Sequence, residues 1–216
     1  MQFGLSEEQI LLLDNVNRFL DDNSPLDRVR AYADGGDDAD IWAGLTELGV
    51  PALLIPEAQG GIGLNPLDAA IVAESLGAHI TPSPFLGTAV MAPTALVASG
   101  GKYDDLLAEI AAGTHRVGIA FSEAIKRRND AQVEARDGRL FGKSLFAFDA
   151  DADSYLVADQ KQHLYLVAAD DPGLTRTHLT TVDKTRRTVE LTYDNAAAQS
   201  VSTDVRVFES VLDIGR

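Results

Sequence analysis

The spacing of apolar residues changes near Thr114, and this change limits the possible folds more than any other feature of the chain. Before it, apolar residues recur at helical spacing, as in the stripe formed by Leu12, Leu13, Val16, Phe19 and Leu20. After Val117 they tend to alternate with polar residues, as in Thr188–Tyr193, which is typical of strands. The pattern predicts an α+β protein, with an N-terminal all-α helical domain followed by a small antiparallel β-barrel or sandwich domain.

The same change divides the chain into segments. Residues 1–114 are assigned to the helical domain, 115–208 to the β domain, and 209–216 to the start of a further helix. Two helix starts carry capping patterns, at Ser6–Gln9 and at Asn65–Pro66. Pro93 lies within an apolar helical stretch and is expected to kink or split it.

The composition excludes several classes of protein. The 216 residues include no cysteine, which excludes a disulfide scaffold, a thiolate metal site and a cysteine nucleophile. With 18 basic and 33 acidic residues, the formal net charge is −15, which argues against nucleic-acid binding. There is neither an apolar run of ~18 residues, as a membrane span needs, nor a signal-peptide pattern. A soluble cytoplasmic protein is therefore predicted.

Local motifs that carry chemistry are few. The four histidines are scattered, and no metal site is predicted. Gly60–Gly63 superficially resembles a phosphate loop, but it lacks a preceding strand and a P-loop lysine, so we predict a turn. Two basic clusters stand out on this acidic chain, Lys126–Arg128 and Lys184–Arg187. They are either solvated loops or anchors for a phosphate-bearing ligand or a partner's carboxylate.

Longer segments carry a family resemblance. Leu45–Glu57, running into Gly60–Gly63, resembles the acyl-CoA dehydrogenase family most specifically. The resemblance continues through Ile71–Gly77 and Thr81–Phe85, and the opening segment Phe3–Gln9 is similar to that family's first helix. It extends over essentially the whole chain and is looser in the β domain.

The resemblance implies a flavoprotein of fatty acid or lipid metabolism that binds FAD and an acyl-CoA thioester. In that family a glutamate removes the α proton and a hydride passes from the β carbon to the flavin, which gives a 2-enoyl-CoA. A separate electron-transfer flavoprotein is a possible electron acceptor. The glutamate belongs to a third, helical domain, so we expect residues 1–216 to be a fragment without catalytic residues and inactive alone. At full length the resemblance implies a homo- or hetero-oligomer.

Six positions are assigned to binding by the resemblance alone: Phe121, Ser122, Leu145 and Ala147 to the cofactor, and Glu123 and Arg128 to the substrate. Ala124–Asp130 lacks the glycines and the serine of the family's loop, and strand alternation would turn Phe146 and Phe148 to the face opposite Leu145. A second interpretation is therefore a non-catalytic structural subunit of a hetero-oligomeric acyl-CoA dehydrogenase. A related flavoenzyme with another substrate, or an unrelated binding module, is the third.

Overall fold

The computed structural model describes residues 4–121 and 131–216, with helices preceding the strands. The α-helices of this part are α1 Glu7–Asn23, α2 Leu26–Ala33, α3 Ala39–Glu47, α4 Pro66–Ala78, α5 Ala92–Val97, α6 Asp104–Ala111 and α7 Val205–Ile214. Short 3₁₀-helices span Val50–Ala52 and Glu57–Gln59, and a π-helix spans Phe85–Met91. Among the described residues, none of the helices is both long and apolar enough to cross a bilayer.

Both predicted helix starts are confirmed. At α1, the amide of Gln9 donates to Ser6 Oγ at 3.2 Å, and the amide of Ser6 donates to Gln9 Oε1 at 3.0 Å. At α4, Asn65 Oδ1 accepts from the amide of Leu67 at 2.9 Å, and Asp68 Oδ2 accepts from the amide of Asn65 at 3.0 Å. These bonds satisfy amides that the first helical turn leaves without partners, which fixes where each helix begins.

The predicted split at Pro93 is also confirmed. A π-helix ends at Met91, and α5 begins at Ala92, one residue before the proline. Because proline has no amide hydrogen, it disrupts the regular bonding of a continuous helix but is tolerated in the first turn of a new one.

The turn prediction for Gly60–Gly63 is confirmed as well. The amide of Ile62 donates to the carbonyl of Ala52 at 3.0 Å, and the amide of Gly63 donates to the carbonyl of Ile55 at 2.8 Å. The segment therefore folds back on its own preceding residues, and these two amides are used within the turn.

The strands form one eight-stranded sheet. Its members are β1 Val117–Ala120, β2 Val133–Arg136, β3 Arg139–Phe148, β4 Ser154–Ala158, β5 Leu164–Ala168, β6 Leu174–His178, β7 Thr188–Ala197 and β8 Gln199–Ser202. The order is β6-β7-β3-β1-β4-β5-β8, with β2 paired to β3. The pairings are antiparallel except that of β1 with β4, in which Val117 lies opposite Ser154. The long connection between these two strands permits the parallel pair.

The sheet curls around an inner core. Strands that are far apart in the sheet order contribute to one buried hydrophobic cluster. Its members include Ala120, Val133, Leu140, Ala147, Tyr155, Val167, Leu174 and Leu191. The other face packs against the helices through a second cluster. This cluster includes Ile119 and Leu156 of the sheet, Phe121 directly after β1, and Leu96, Leu107 and Phe208 of the helices. A helical domain followed by a β domain is thus confirmed as the fold class.

The last helix begins within the range assigned to the β domain. α7 starts at Val205, where Asp204 accepts a hydrogen bond from the amide of Arg206 at 3.0 Å. Phe208 on this helix packs against Phe121, which directly follows β1, with ring centroids 5.3 Å apart. α7 therefore contributes to the core between helices and sheet.

Arg116, just before β1, contacts two residues of the helical domain. Its guanidinium lies 3.0 Å from Asp38 Oδ1, and both side chains are mostly buried. The same guanidinium lies over the ring of Trp42 at 6.0 Å, and the indole of Trp42 donates to the carbonyl of Gly113 at 3.3 Å. An ion pair, a cation–π contact and a hydrogen bond therefore all hold the start of the β domain against the helical domain.

We expect Arg116→Gln to lower the free energy of unfolding by about 2 kcal/mol, since it leaves the carboxylate of Asp38 mostly buried without its charged partner. Urea titration followed by circular dichroism measures this. Arg206→Gln is the control, because its ion pair with Asp204 is largely exposed and should contribute little to stability. Equal losses in the two variants would contradict a special role for Arg116.

Candidate functional site

A cavity of about 370 Å³ lies at the junction between the helices and the sheet. Its apolar wall includes Leu76 of α4, Phe85 at the start of the π-helix, and Phe148 at the end of β3. Its polar wall comprises side chains from both domains, including Tyr32, Asp38, Asp149, Arg186, Arg187 and Thr188. A mostly apolar concavity with a few polar groups is the usual form of a small-molecule site.

The π-helix wall is held against the sheet by close contacts. Thr88 Oγ1 accepts from the amide of Val117 at 2.9 Å, which joins the helix to the start of β1. At Gly87, an added Cβ would lie 2.6 Å from the carbonyl oxygen of Val117, so glycine permits this approach. The apolar wall is therefore fixed in position by backbone packing.

The register of the sheet brings the polar residues together. Phe148 of β3 lies opposite Thr188 of β7, and Asp149 follows directly after Phe148. The amide of Ala150 donates to the carbonyl of Arg187 at 3.2 Å, which continues the pairing past the end of β3. Asp149, directly after β3, and Thr188 of β7 thus both line the cavity.

Asp149 is a buried carboxyl group with one oxygen unpaired. Its Oδ1 accepts from the amide of Asp151 at 3.3 Å, whereas its Oδ2 is buried and has no partner within the described residues. Burial raises the pKa of Asp149 to about 6; Arg116 lowers it and Asp38 raises it, both by smaller amounts. The backbone at Asp149 is left-handed, with φ 64°, a conformation that aspartate and asparagine tolerate better than most residues.

Thr188 presents a second unpaired polar atom. Its Oγ1 is buried, and it too has no hydrogen-bond partner in the part of the chain that the structure describes. An unsatisfied buried group costs roughly 1–3 kcal/mol, so two of them at one cavity are unusual in a native fold.

The basic cluster Lys184–Arg187 borders this cavity. Arg187 lies 3.2 Å from Asp151 Oδ2, stacks over the ring of Tyr32 at 4.3 Å and donates to the carbonyl of Gly36. Burial raises the pKa of Tyr32 to about 12, although the charge of Arg187 lowers it. Arg187 therefore contacts residues of both domains. Arg186, by contrast, is exposed and lines the cavity.

The positions assigned by resemblance are only partly brought together. Phe121 is buried against Phe208, whereas Ser122, Glu123 and Arg128 lie outside the described residues, as does the basic cluster Lys126–Arg128. On β3, Leu145 is 8% exposed and Ala147 is 0% exposed. Their assignment to the cofactor stays a prediction, and a ligand against this strand would meet other side chains first.

Those other side chains are the two phenylalanines beside them. Phe146 is 50% exposed and Phe148 is 39% exposed, as alternation along β3 predicts. An irregularity in the β3–β7 pairing between Ser144 and Ala147 accompanies a left-handed φ of 56° at Phe146. Phe148 pairs with Ile119 of β1, so Phe148 lies on the sheet face that packs against the helices.

No pattern in the sequence points directly to Asp149, Thr188 or Tyr32 as site residues. Each is unremarkable in its own segment, and only the pairing of β3 with β7 and the packing of α2 bring them together. The basic residues at 184–187 were the one available signal. Among the described residues, no group of three or more acidic residues, histidines or cysteines could hold a metal ion.

A family model, a curated relative and solved structures all indicate the same protein family. The family model described as "Acyl-CoA dehydrogenase, N-terminal domain" matches residues 6–114. The acyl-CoA dehydrogenase IpdE2 of Mycolicibacterium smegmatis is 36% identical over 121 residues, which is 55% of this chain and 38% of that protein. The chain thus spans well under half the length of this curated relative.

Solved structures match the fold of nearly the whole chain. The ChsE4-ChsE5 complex from Mycobacterium tuberculosis matches with a TM-score of 0.85 and 23% identity, over 99% of this chain and 62% of that one. A variant of the Tcur3481-Tcur3483 steroid ACAD matches with a TM-score of 0.84 and 24% identity, over 97% of this chain and 60% of that one. At these identities the likeness establishes the fold.

Proposed function

Since the chain belongs to the acyl-CoA dehydrogenase family, we propose that it supplies the helical and β domains of an FAD-dependent acyl-CoA dehydrogenase. The reaction is the α,β-dehydrogenation of an acyl-CoA thioester to a 2-enoyl-CoA. The match over residues 6–114 is the observation that carries this proposal. The domain boundaries 1–114 and 115–208, with 209–216 as the start of a third, helical domain, belong to the same proposal.

The cavity is the candidate site for the acyl group. Its volume of about 370 Å³ falls within the roughly 300–1,000 Å³ typical of small-molecule sites. Leu76, Phe85 and Phe148 supply apolar surface that excludes water, and Arg186 offers a positive charge to an anionic part of the ligand. The general base is proposed to come from outside residues 1–216, because none of the glutamates here is assigned that role.

The exposed aromatic surface of β3 fits the apolar ring system of a flavin. Phe146 and Phe148 would hold the ring by packing, and Phe121, Ser122, Leu145 and Ala147 are proposed to complete the cofactor site. Glu123 and Arg128 are proposed substrate contacts. When bound, FAD accepts the hydride that leaves the substrate, while these residues hold the ring and the thioester in position.

A second candidate is a structural subunit of a hetero-oligomeric acyl-CoA dehydrogenase. The absence of exposed surface at Ala147, and its lack of a hydroxyl group, favour this possibility, because one expected polar contact to the flavin is then missing. Two of the similar structures carry paired names, ChsE4-ChsE5 and Tcur3481-Tcur3483. In this case a partner subunit would bind the flavin, and an electron-transfer flavoprotein would accept electrons from the assembly.

Flavin content tests the proposal. We expect the full-length protein to retain FAD after gel filtration, and Phe146→Ser to reduce its flavin affinity about tenfold or more, because the variant loses apolar contact with the ring. Val182→Ser is the control, since it makes a similar polar change at a fully exposed apolar side chain. Flavin absorbance and fluorescence titration provide the measurements.

The results of the flavin-binding experiment distinguish the FAD-dependent enzyme from the structural subunit. A colourless full-length protein that also fails to bind added FAD would contradict the first candidate and favour the structural subunit. Equal flavin affinity in Phe146→Ser and the unmodified protein would overturn the assignment of β3 as the surface that holds the ring.

A further inference from the structure

Tyr32 and Arg187 line the cavity together, although they come from different domains. We infer that this pair limits the length of the acyl group that the cavity accepts, with Tyr32 determining specificity and Arg187 positioning Tyr32. The inference rests on the proposed function, because it takes the cavity as the acyl site. It goes further by naming the two residues that set the size of the substrate.

The two side chains are in direct contact. The guanidinium of Arg187 lies over the ring of Tyr32, 4.3 Å from the ring centroid. Tyr32 is partly buried, and the side chain of Arg187 is 30% exposed, so neither is closed off inside the protein core. An arginine over the face of an aromatic ring is a favourable contact, and it becomes stronger when the pair is partly removed from water.

Arg187 is itself held from both domains. In the β domain it lies 3.2 Å from Oδ2 of Asp151, in the connection between β3 and β4. In the helical domain it donates to the carbonyl of Gly36, in the turn after α2. The amide of Gly36 donates to the carbonyl of Ala31 at 2.9 Å, which fixes this turn to the end of α2. Arg187 therefore holds the end of α2, and Tyr32 with it, against the sheet.

The ring of Tyr32 takes up space beside the apolar wall formed by Leu76, Phe85 and Phe148. Truncating Tyr32 removes the ring from the lining and adds its volume to the cavity. Truncating Arg187 leaves the ring without the group that packs on it. Each further methylene that the cavity can bury should strengthen binding about fourfold, until the acyl chain meets the wall.

The test uses saturated straight-chain thioesters, from butanoyl-CoA to dodecanoyl-CoA, with the full-length protein in its native assembly. Calorimetry gives their dissociation constants, and flavin reduction gives kcat and KM separately. In the unmodified protein, affinity should rise with chain length up to a limiting length. Tyr32→Ala should move that limit by about two methylenes and strengthen binding of the first excluded thioester about tenfold. Arg187→Ala should move the limit in the same direction.

Three further variants serve as controls. Tyr32→Phe keeps the ring and should keep the original limit, whereas Tyr32→Leu should give a smaller shift and supplies the comparison if Tyr32→Ala does not fold. Lys184→Ala removes a positive charge from the same basic cluster at an exposed residue outside the cavity lining, so the limit should not change. Unchanged binding of butanoyl-CoA by Tyr32→Ala shows that the variant is folded.

The effect of chain length separates the possible results. An unchanged limit in both truncations of Tyr32, an equal loss of affinity at every chain length, or the same shift in Tyr32→Phe overturns the inference, even where the thioesters are dehydrogenated. If the limit shifts as expected but no thioester is dehydrogenated, the pair is supported and the proposed reaction fails. Absence of binding by every thioester overturns the inference and the placement of the acyl site.

Discussion

Gly61→Ala is expected to lower the free energy of unfolding by about 3 kcal/mol or more. A Cβ built on Gly61 would lie 1.9 Å from the carbonyl oxygen of Ile55 and 2.4 Å from its carbonyl carbon. These are backbone atoms, so the clash cannot be relieved by a change of side-chain rotamer. The carbonyl of Ile55 also accepts a hydrogen bond from Gly63, and moving it would strain the turn that joins this segment to the core.

Gly77→Ala is the matched control for this prediction. Gly77 lies within α4 and an added Cβ would meet nothing within 4 Å. Alanine is the better helix former, so this variant should gain about 0.5–1 kcal/mol. Urea midpoints for both variants give the comparison. A Gly61→Ala midpoint equal to that of the unmodified protein would show that the turn can relax and would contradict its structural role.

The segments that could be predicted from sequence are those whose structure is decided locally. Capping boxes at Ser6 and Asn65 act within one helical turn, and Pro93 acts on the helix that contains it. The change from helical to alternating spacing predicted the fold class because each period matches one kind of buried face. The family resemblance over Leu45–Glu57 agrees with the family match over residues 6–114.

The cavity could not be predicted in this way because it depends on distant pairings. Tyr32, Phe85, Asp149 and Thr188 come from four separate segments, and nothing in any one segment indicates the others. The parallel pairing of β1 with β4 was likewise outside the local pattern, because alternation specifies which face is buried and not which strand is the neighbour. An unpaired buried oxygen is visible only once all neighbours are placed.

Asp149→Asn is expected to raise the free energy of unfolding by about 3 kcal/mol at about pH 8 and by little near pH 4. The pKa of Asp149 is raised from 3.8 to about 6, chiefly by burial. Each pH unit of that difference corresponds to ~1.4 kcal/mol, so ionising this carboxyl group costs the folded state about 3 kcal/mol. Asparagine carries no charge, keeps an oxygen for the amide of Asp151, and tolerates the left-handed backbone.

The direction of the pH dependence follows from proton binding. Below the unfolded pKa of 3.8 both states hold the proton, so the contribution of Asp149 to stability is at its maximum. As the pH rises from there to about 6, the unfolded chain releases the proton while the folded protein retains it, and stability falls. Above that range both states are ionised and the cost is constant. The advantage of Asp149→Asn should therefore grow between these two values and then level off.

Chemical denaturation across this pH range measures the difference between the two proteins. Asp137→Asn is the control, since Asp137 also has a left-handed φ, of 49°, but lies exposed beside Gly138 in a hairpin turn. This control measures how much of any gain in the free energy of unfolding comes from the left-handed backbone conformation alone. An Asp149→Asn advantage that is the same near pH 4 and about pH 8 would show that the buried carboxyl group does not ionise at a cost. The unpaired Oδ2 would then already have a partner in the free protein.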